Sequence, residues 1–183
     1  MRKSIRALAV LAGPFFLSAC AGDFDLDLFG QSAAPLPCPN VTLLPGAENI
    51  TVFREGPGRD LVDVTYEGTI TPISGECAYK DDDGLVIAEL ILQVSAVKGP
   101  AAATEKPDFP FFVAIADRDK KVLSKKIFNT AIEIPEGKRR GAVQEEMVQR
   151  IPILSGRTGE DYTIVLGFQL TPEQLEYNRK TLK

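Results

Sequence analysis

From Asn49 onward, short apolar runs alternate with clusters of turn-forming residues. Asn49 to Phe53 is β-rich, and the following Arg54 to Arg59 holds Gly56, Pro57 and Gly58. Leu61 to Ile73 places Val62, Val64 and Tyr66 on one parity and Thr65, Glu67 and Thr69 on the other, the alternation of a half-buried strand. Within it Gly68 is a candidate bulge, and Pro72 suits an edge or the end of the strand. Gly75 opens a second piece through Cys77 and Tyr79, closed by Asp81-Asp82-Asp83-Gly84. Leu85 to Val97 is apolar on both parities, which predicts a central strand covered on both faces.

After a proline- and alanine-rich connection (Gly99 to Pro110), Phe111 to Ala116 and Val122 to Phe128 flank the charged tip Asp117-Arg118-Asp119-Lys120-Lys121, a predicted hairpin. Ala131 to Ile134 is a candidate short strand. Gly141 to Ile151 reads two ways. As a helix it aligns Val143, Met147, Val148 and Ile151 on one face, with Pro152 ending it. As a strand it aligns Val143, Met147, Ile151 and Ile153, interrupted by Glu145 and Gln149. The strand is favoured, as a neighbour for the clear strand Tyr162 to Leu170. Thr171-Pro172-Glu173-Gln174 then combines a capping threonine, proline at the first helical position and a reciprocal glutamine, which predicts a short helix from Pro172 to about Lys180. The expected fold is all-β: a single β-sandwich, immunoglobulin- or fibronectin-like, with a short C-terminal helix.

Composition narrows the chemistry. The 183 residues are 44% hydrophobic with a net charge of −4, and contain no histidine and no tryptophan. Histidine-based triads and histidine-ligated zinc are therefore excluded, and the acidic balance argues against a nucleic-acid partner. Ser124-Lys125 and Ser95 with Lys98 are the close serine–lysine pairs; the second has the S-x-x-K spacing but falls at the end of the strand-like run Leu85 to Val97, and a serine–lysine enzyme is not expected from either. A polysaccharide hydrolase would need two carboxylates set across a cleft, and no acidic motif stands out. Asp81-Asp82-Asp83-Gly84 reads as a turn rather than a calcium loop, because its spacing is not that of an EF-hand. No metal or cofactor is expected, and no enzymatic activity. Candidate partner-binding groups are the hairpin tip (Asp117, Arg118, Asp119) and the basic cluster Lys138-Arg139-Arg140. Phe109, Phe111 and Phe112 read as core, or as a binding patch if part of the run is exposed.

The first twenty residues, MRKSIRALAVLAGPFFLSAC, pair a basic start (Arg2, Lys3, Arg6) with an apolar stretch too short to span a bilayer. The ending Leu17-Ser18-Ala19-Cys20 resembles the lipobox of bacterial lipoproteins. That resemblance covers only these residues. It implies cleavage before Cys20 and a lipid on the Cys20 thiol, which would hold the protein to a membrane. Ala21, in place of the aspartate that commonly marks inner-membrane retention in that family, points to the outer membrane, facing the periplasm. Loss of residues 1–19, which carry three basic and no acidic residues, takes the net charge from −4 to −7. With Cys20 lipidated, Cys38 and Cys77 remain as a disulfide pair for an oxidising compartment; two free thiols are the alternative.

Three segments follow: a signal peptide over 1–19, a lipid-anchored flexible tether over 20–37 and a β-sandwich domain over 38–183. In the tether, Phe24, Leu26 and Leu28 alternate with Asp23, Asp25 and Asp27, which reads as a linker or as a motif that docks by strand addition. The expected function is that of a cell-envelope lipoprotein, a non-enzymatic accessory for binding or assembly with an envelope protein partner. The alternatives are a carrier of a small or lipidic ligand, which needs an apolar cavity between the sheets, and a carboxylate-based polysaccharide hydrolase.

Overall fold

A computed structural model of the chain describes residues 36–80 and 84–181. The signal-like segment, Cys20, most of the expected tether and Asp81–Asp83 lie outside the described residues. Among those described, the chain forms β1 (Asn40–Leu43), β2 (Asn49–Phe53), β3 (Val64–Lys80), β4 (Leu85–Lys98), β5 (Asp108–Asp117), β6 (Val122–Ala131), β7 (Arg140–Pro152), β8 (Tyr162–Phe168) and the helix α1 (Pro172–Thr181). The strands make two four-stranded sheets, β1-β8-β5-β6 and β2-β3-β4-β7. The β1–β8 pair is parallel and the other pairs are antiparallel. One core joins the sheets: Ile70, Leu92 and Ile151 from one belong to the same buried cluster as Phe109, Ile164 and Phe168 from the other.

Period-two patterning accounts for most of this. Tyr162, Ile164, Leu166 and Phe168 are all buried along β8. The ambiguous segment is a strand, with Met147, Gln149 and Ile151 turned inward and the Glu145 carboxylate accepting a hydrogen bond from the Thr130 hydroxyl at 2.5 Å. Its neighbour differs from expectation. β7 pairs with β4, from Val97↔Arg140 to Leu85↔Pro152, because both edges of β8 are already taken by β1 and β5. β4 is central, as its sequence predicts, but buried on one face only. Val86, Ala88, Leu90, Leu92, Val94 and Ala96 face the core, while Glu89 and Gln93 on the other face are exposed. The helix packs against β2 and leaves that outer face uncovered among the described residues.

Three further expectations change. Leu61–Asp63 is a 3₁₀ turn rather than the start of a strand, and it leaves Leu61 and Val62 exposed. Gly68 is no bulge: it sits in register between Ile50 and Ala96, where a Cβ would stand 2.7 Å from Ile50 and 3.1 Å from the rings of Phe109 and Phe168. Glycine is needed there because the two sheets approach closely. The bulge lies at Ile73, where pairing steps from Pro72↔Leu92 to Ser74↔Ile91, and β3 runs through it as one strand of 17 residues. Pro72 does fall where its type predicts. β2 pairing ends at Thr69, so beyond it β3 keeps β4 as its one sheet neighbour among the described residues.

At the C-terminus the reciprocal cap forms as read. The Thr171 N–H donates to Gln174 Oε1 at 2.9 Å, and the Gln174 N–H donates to Thr171 Oγ1 at 3.2 Å. Tyr177 packs edge-on against Phe53 at 5.0 Å, and buried Asn178 donates to the Gly46 and Asn49 carbonyls at 2.9 and 2.8 Å. Gly68→Val is expected to destabilise the protein by about 1–3 kcal/mol, the range for overpacking a closed core. Urea unfolding checks it; an unchanged midpoint contradicts the close approach.

Candidate functional site

The bulge at Ile73 has a stereochemical consequence. Before it, Val64, Tyr66, Gly68 and Ile70 point into the core; after it, Gly75, Cys77 and Tyr79 do, opposite Leu90, Ala88 and Val86. One extra residue therefore turns Cys77 from the outer face toward the other sheet. There it forms a disulfide with Cys38, just ahead of β1, with 5.8 Å between the Cα atoms. The bond closes a separation of 39 residues, worth on the order of 4 kcal/mol in the chain-entropy treatment.

Tyr79, two residues on and on the same face, completes the junction. Its hydroxyl donates to the Pro37 carbonyl at 2.5 Å and accepts the Gly159 N–H at 2.6 Å. Gly159 has no room for a side chain, because a Cβ would collide with the Pro37 oxygen. A covalent bond and a shared hydroxyl thus pin residues 37 and 38 to β3 and to the loop before β8. Sequence reading identified the cysteines and missed Tyr79, although its i+2 spacing from Cys77 was the available signal.

The two partner-binding candidates are not brought together. The hairpin tip lies at the Tyr162 end of β8, where Asp117 pairs with Tyr162 and Arg118 meets Asp161 at 3.4 Å. Tyr162 in turn accepts the Leu154 N–H at 3.2 Å, just past the Pro152 end of β7. Lys138, Arg139 and Arg140 stand at the start of β7, so the 13-residue strand separates the groups by about 40 Å. Several of these side chains also have structural partners. Asp117 Oδ1 accepts the N–H groups of Asp119 and Lys121 at 3.0 Å each, and Arg139 donates to the Lys98 carbonyl at 3.0 Å.

A different surface comes forward. β6 is the free edge of its sheet, ten residues long, with Val122 57%, Leu123 50% and Ile127 57% exposed beside Lys125 and Lys126. The other edges are less open. β1 has four residues, β2 is packed by α1, and β7 carries Glu145, Glu146 and Arg150. Beyond Thr69, β3 is interrupted by Pro72 and the bulge at Ile73 and held at its end by the Cys77 and Tyr79 contacts. Sequence reading took β6 as one arm of a hairpin and gave no sign that its far side would be unpaired.

Two recesses lie on the outside of the sheets. One of 860 Å³ separates β2 from α1; there Arg59 stands over Phe53 at 5.4 Å and pairs with Glu173 at 3.0 Å. The other, of 590 Å³, crosses the outer face of the β1-β8-β5-β6 sheet. The aromatic run splits accordingly: Phe109 and Phe111 enter the core, and Phe112 forms part of that outer recess. A carrier built around a cavity between the sheets does not match either position.

Ser124 and Lys125 are consecutive on β6, opposite Ile115 and Ala114, and so project to opposite faces. Among the described residues no group of three or more Cys, Asp or Glu is placed to hold a metal ion. Buried Asp63, 4% exposed, is a structural charge that sequence reading missed: it pairs with Arg54 at 2.5 Å and accepts the Asp60 N–H at 3.2 Å, closing the loop before β3. Compared with known protein families, curated proteins and solved structures, the chain matches none.

Deleting Ile73 is expected to return Cys77 to the outer face and leave both Cys38 and Cys77 open to alkylation. Mass spectrometry after iodoacetamide treatment without reductant checks this; an intact disulfide in the deletion variant contradicts the role given to the bulge.

Proposed function

We propose that this chain is a lipid-anchored bacterial envelope lipoprotein, held by Cys20 to the periplasmic face of the outer membrane, and that it is a non-enzymatic accessory which binds an extended segment of an envelope protein partner. The observation that carries the binding role is the β6 edge. It offers unpaired backbone groups over ten residues, and strand addition needs just such a row. Lys125 and Lys126 discourage pairing between copies through like-charge repulsion and favour an acidic partner strand. The anchoring role is supported by the lipobox resemblance. It is also supported by the junction at Pro37, Cys38, Cys77 and Tyr79, which transmits a pull on the preceding chain into both sheets.

The fold within this reading is a β-sandwich of the fibronectin kind. β3-β4-β7 and β6-β5-β8 repeat the A-B-E and C′-C-F pairings of such domains in chain order, with β1 in the place of the last strand but running parallel to its neighbour. That likeness concerns architecture and carries no activity with it.

Two measurements test the proposal. Cys20→Ser is expected to move the protein from the membrane to the soluble fraction of cells; unchanged fractionation contradicts the anchor. An acidic peptide of alternating aspartate and leucine is expected to shift the backbone amide resonances of residues 122–129, with binding weakened about tenfold in Lys125→Glu/Lys126→Glu, or about 1.4 kcal/mol. Shifts confined to β7 or to the 138–140 loop contradict the choice of edge.

A further inference from the structure

The recess on the outer face of the β1-β8-β5-β6 sheet is built differently from an ordinary solvated sheet face. Its floor is Ala114 and Ala116 of β5, which are 4% and 7% exposed although they point away from the core. Phe112, Val165, Val122 and Leu44 rise around these small residues, so that the sheet face is sunk into a trough rather than flat. The trough runs from β1 across β8 and β5 to β6, three strand spacings or about 14 Å. Its volume, 590 Å³, falls within the range of about 300–1,000 Å³ common to small-molecule sites.

The charge at its rim is net positive, two lysines against one aspartate. Lys120 and Lys125 both line the trough, and among the described residues neither forms an ion pair. Lys125 Nζ lies 4.4 Å from the centre of the Phe112 ring, so its ammonium is held at the apolar margin. Asp117 also lines the trough, but one of its carboxylate oxygens accepts two backbone N–H groups of the turn. The hairpin geometry that presents Lys120, with a φ of 62°, therefore depends on Asp117, whose Oδ1 is engaged in the turn.

We infer that this trough binds a single-chain anionic amphiphile, a free alkyl carboxylate whose chain lies over Ala114 and Ala116 while its head sits between Lys120 and Lys125. An alkyl chain suits the floor better than a peptide. The face of a sheet presents no backbone partners, so a peptide laid across it would leave N–H and C=O groups unpaired over apolar surface. A chain of methylenes has no such groups, and its carboxylate meets the two ammonium groups at one end. The site shares Lys125 with the β6 edge proposed for protein binding but uses the outer face of the sheet rather than the outward backbone of the strand, and Lys120, which lies outside the strand, belongs to the trough alone.

Equilibrium dialysis of the full chain against dodecanoate, kept below its micelle-forming concentration, tests the inference. Saturable one-to-one binding is expected, with dodecyltrimethylammonium, of equal chain length and opposite charge, failing to compete. Lys120→Gln/Lys125→Gln is expected to weaken dodecanoate binding about tenfold, the scale of one charge-assisted contact. Ala114→Leu is expected to abolish binding by filling the floor, and the lysine variant, being confined to the surface, keeps the test decisive if Ala114→Leu fails to fold. No saturable binding, equal competition by the cation, or undiminished binding in the lysine variant overturns the inference. So does association with phosphatidylglycerol vesicles in the absence of dodecanoate binding.

Discussion

Along β3, the side-chain parity reverses once, at Ile73, and the organisation of the chain's beginning depends on that reversal. A strand of uniform pleat would put Tyr66 and Cys77 on opposite faces, and only one of them could reach the neighbouring sheet. The extra residue lets both do so. Tyr66 closes one end of the body through Thr104, whose carbonyl its hydroxyl meets at 2.7 Å, and Cys77 and Tyr79 close the other around residues 37 and 38. The sheets are joined covalently where the chain enters and by close packing where Gly68 lets Phe109 and Phe168 approach.

That arrangement gives the protein two ends and several faces with different characters. The end where the chain enters holds the disulfide, the Tyr79 hydroxyl and the charged hairpin tip. The far end holds the basic 138–140 loop, tied to Lys98 through the Arg139 backbone and side chain. Between them, β6 presents an unpaired edge, and the face of its sheet holds an apolar trough bordered by lysines. If a lipid fixes the chain upstream of Cys38, as we propose, the edge and the trough remain open to the periplasm while the entering end takes up the connection to the membrane.

The legible and illegible parts of the sequence differ for physical reasons. Strand and helix positions were readable because burial in this fold follows the local period: β8 and the Thr171–Gln174 cap follow from spacing, whereas Gly141 to Ile151 fitted helix and strand alike and was read as a strand for a neighbour, β8, that it does not have. Strand neighbours were not readable, since the residues of β7 say that one face is buried but not which strand lies alongside. The bulge was misplaced for a related reason. Glycine at 68 answered a long-range contact with two phenylalanines, whereas the actual extra residue, Ile73, is recognisable only from its pairing with β4. Asp63 was equally hidden, because a buried acid is indistinguishable from a surface one until its partner, Arg54, is brought beside it. The basic and acidic clusters drew attention as motifs, yet β6, without a motif, carries the more open surface.

The most direct test of the account is a disulfide map of the full chain as it leaves the oxidising compartment. Proteolysis without reduction, followed by mass spectrometry, should yield one cross-linked species joining the peptide of Cys38 to that of Cys77, with Cys20 absent from any disulfide. Recovery of Cys38 and Cys77 as free thiols, or of either joined to Cys20, would contradict it.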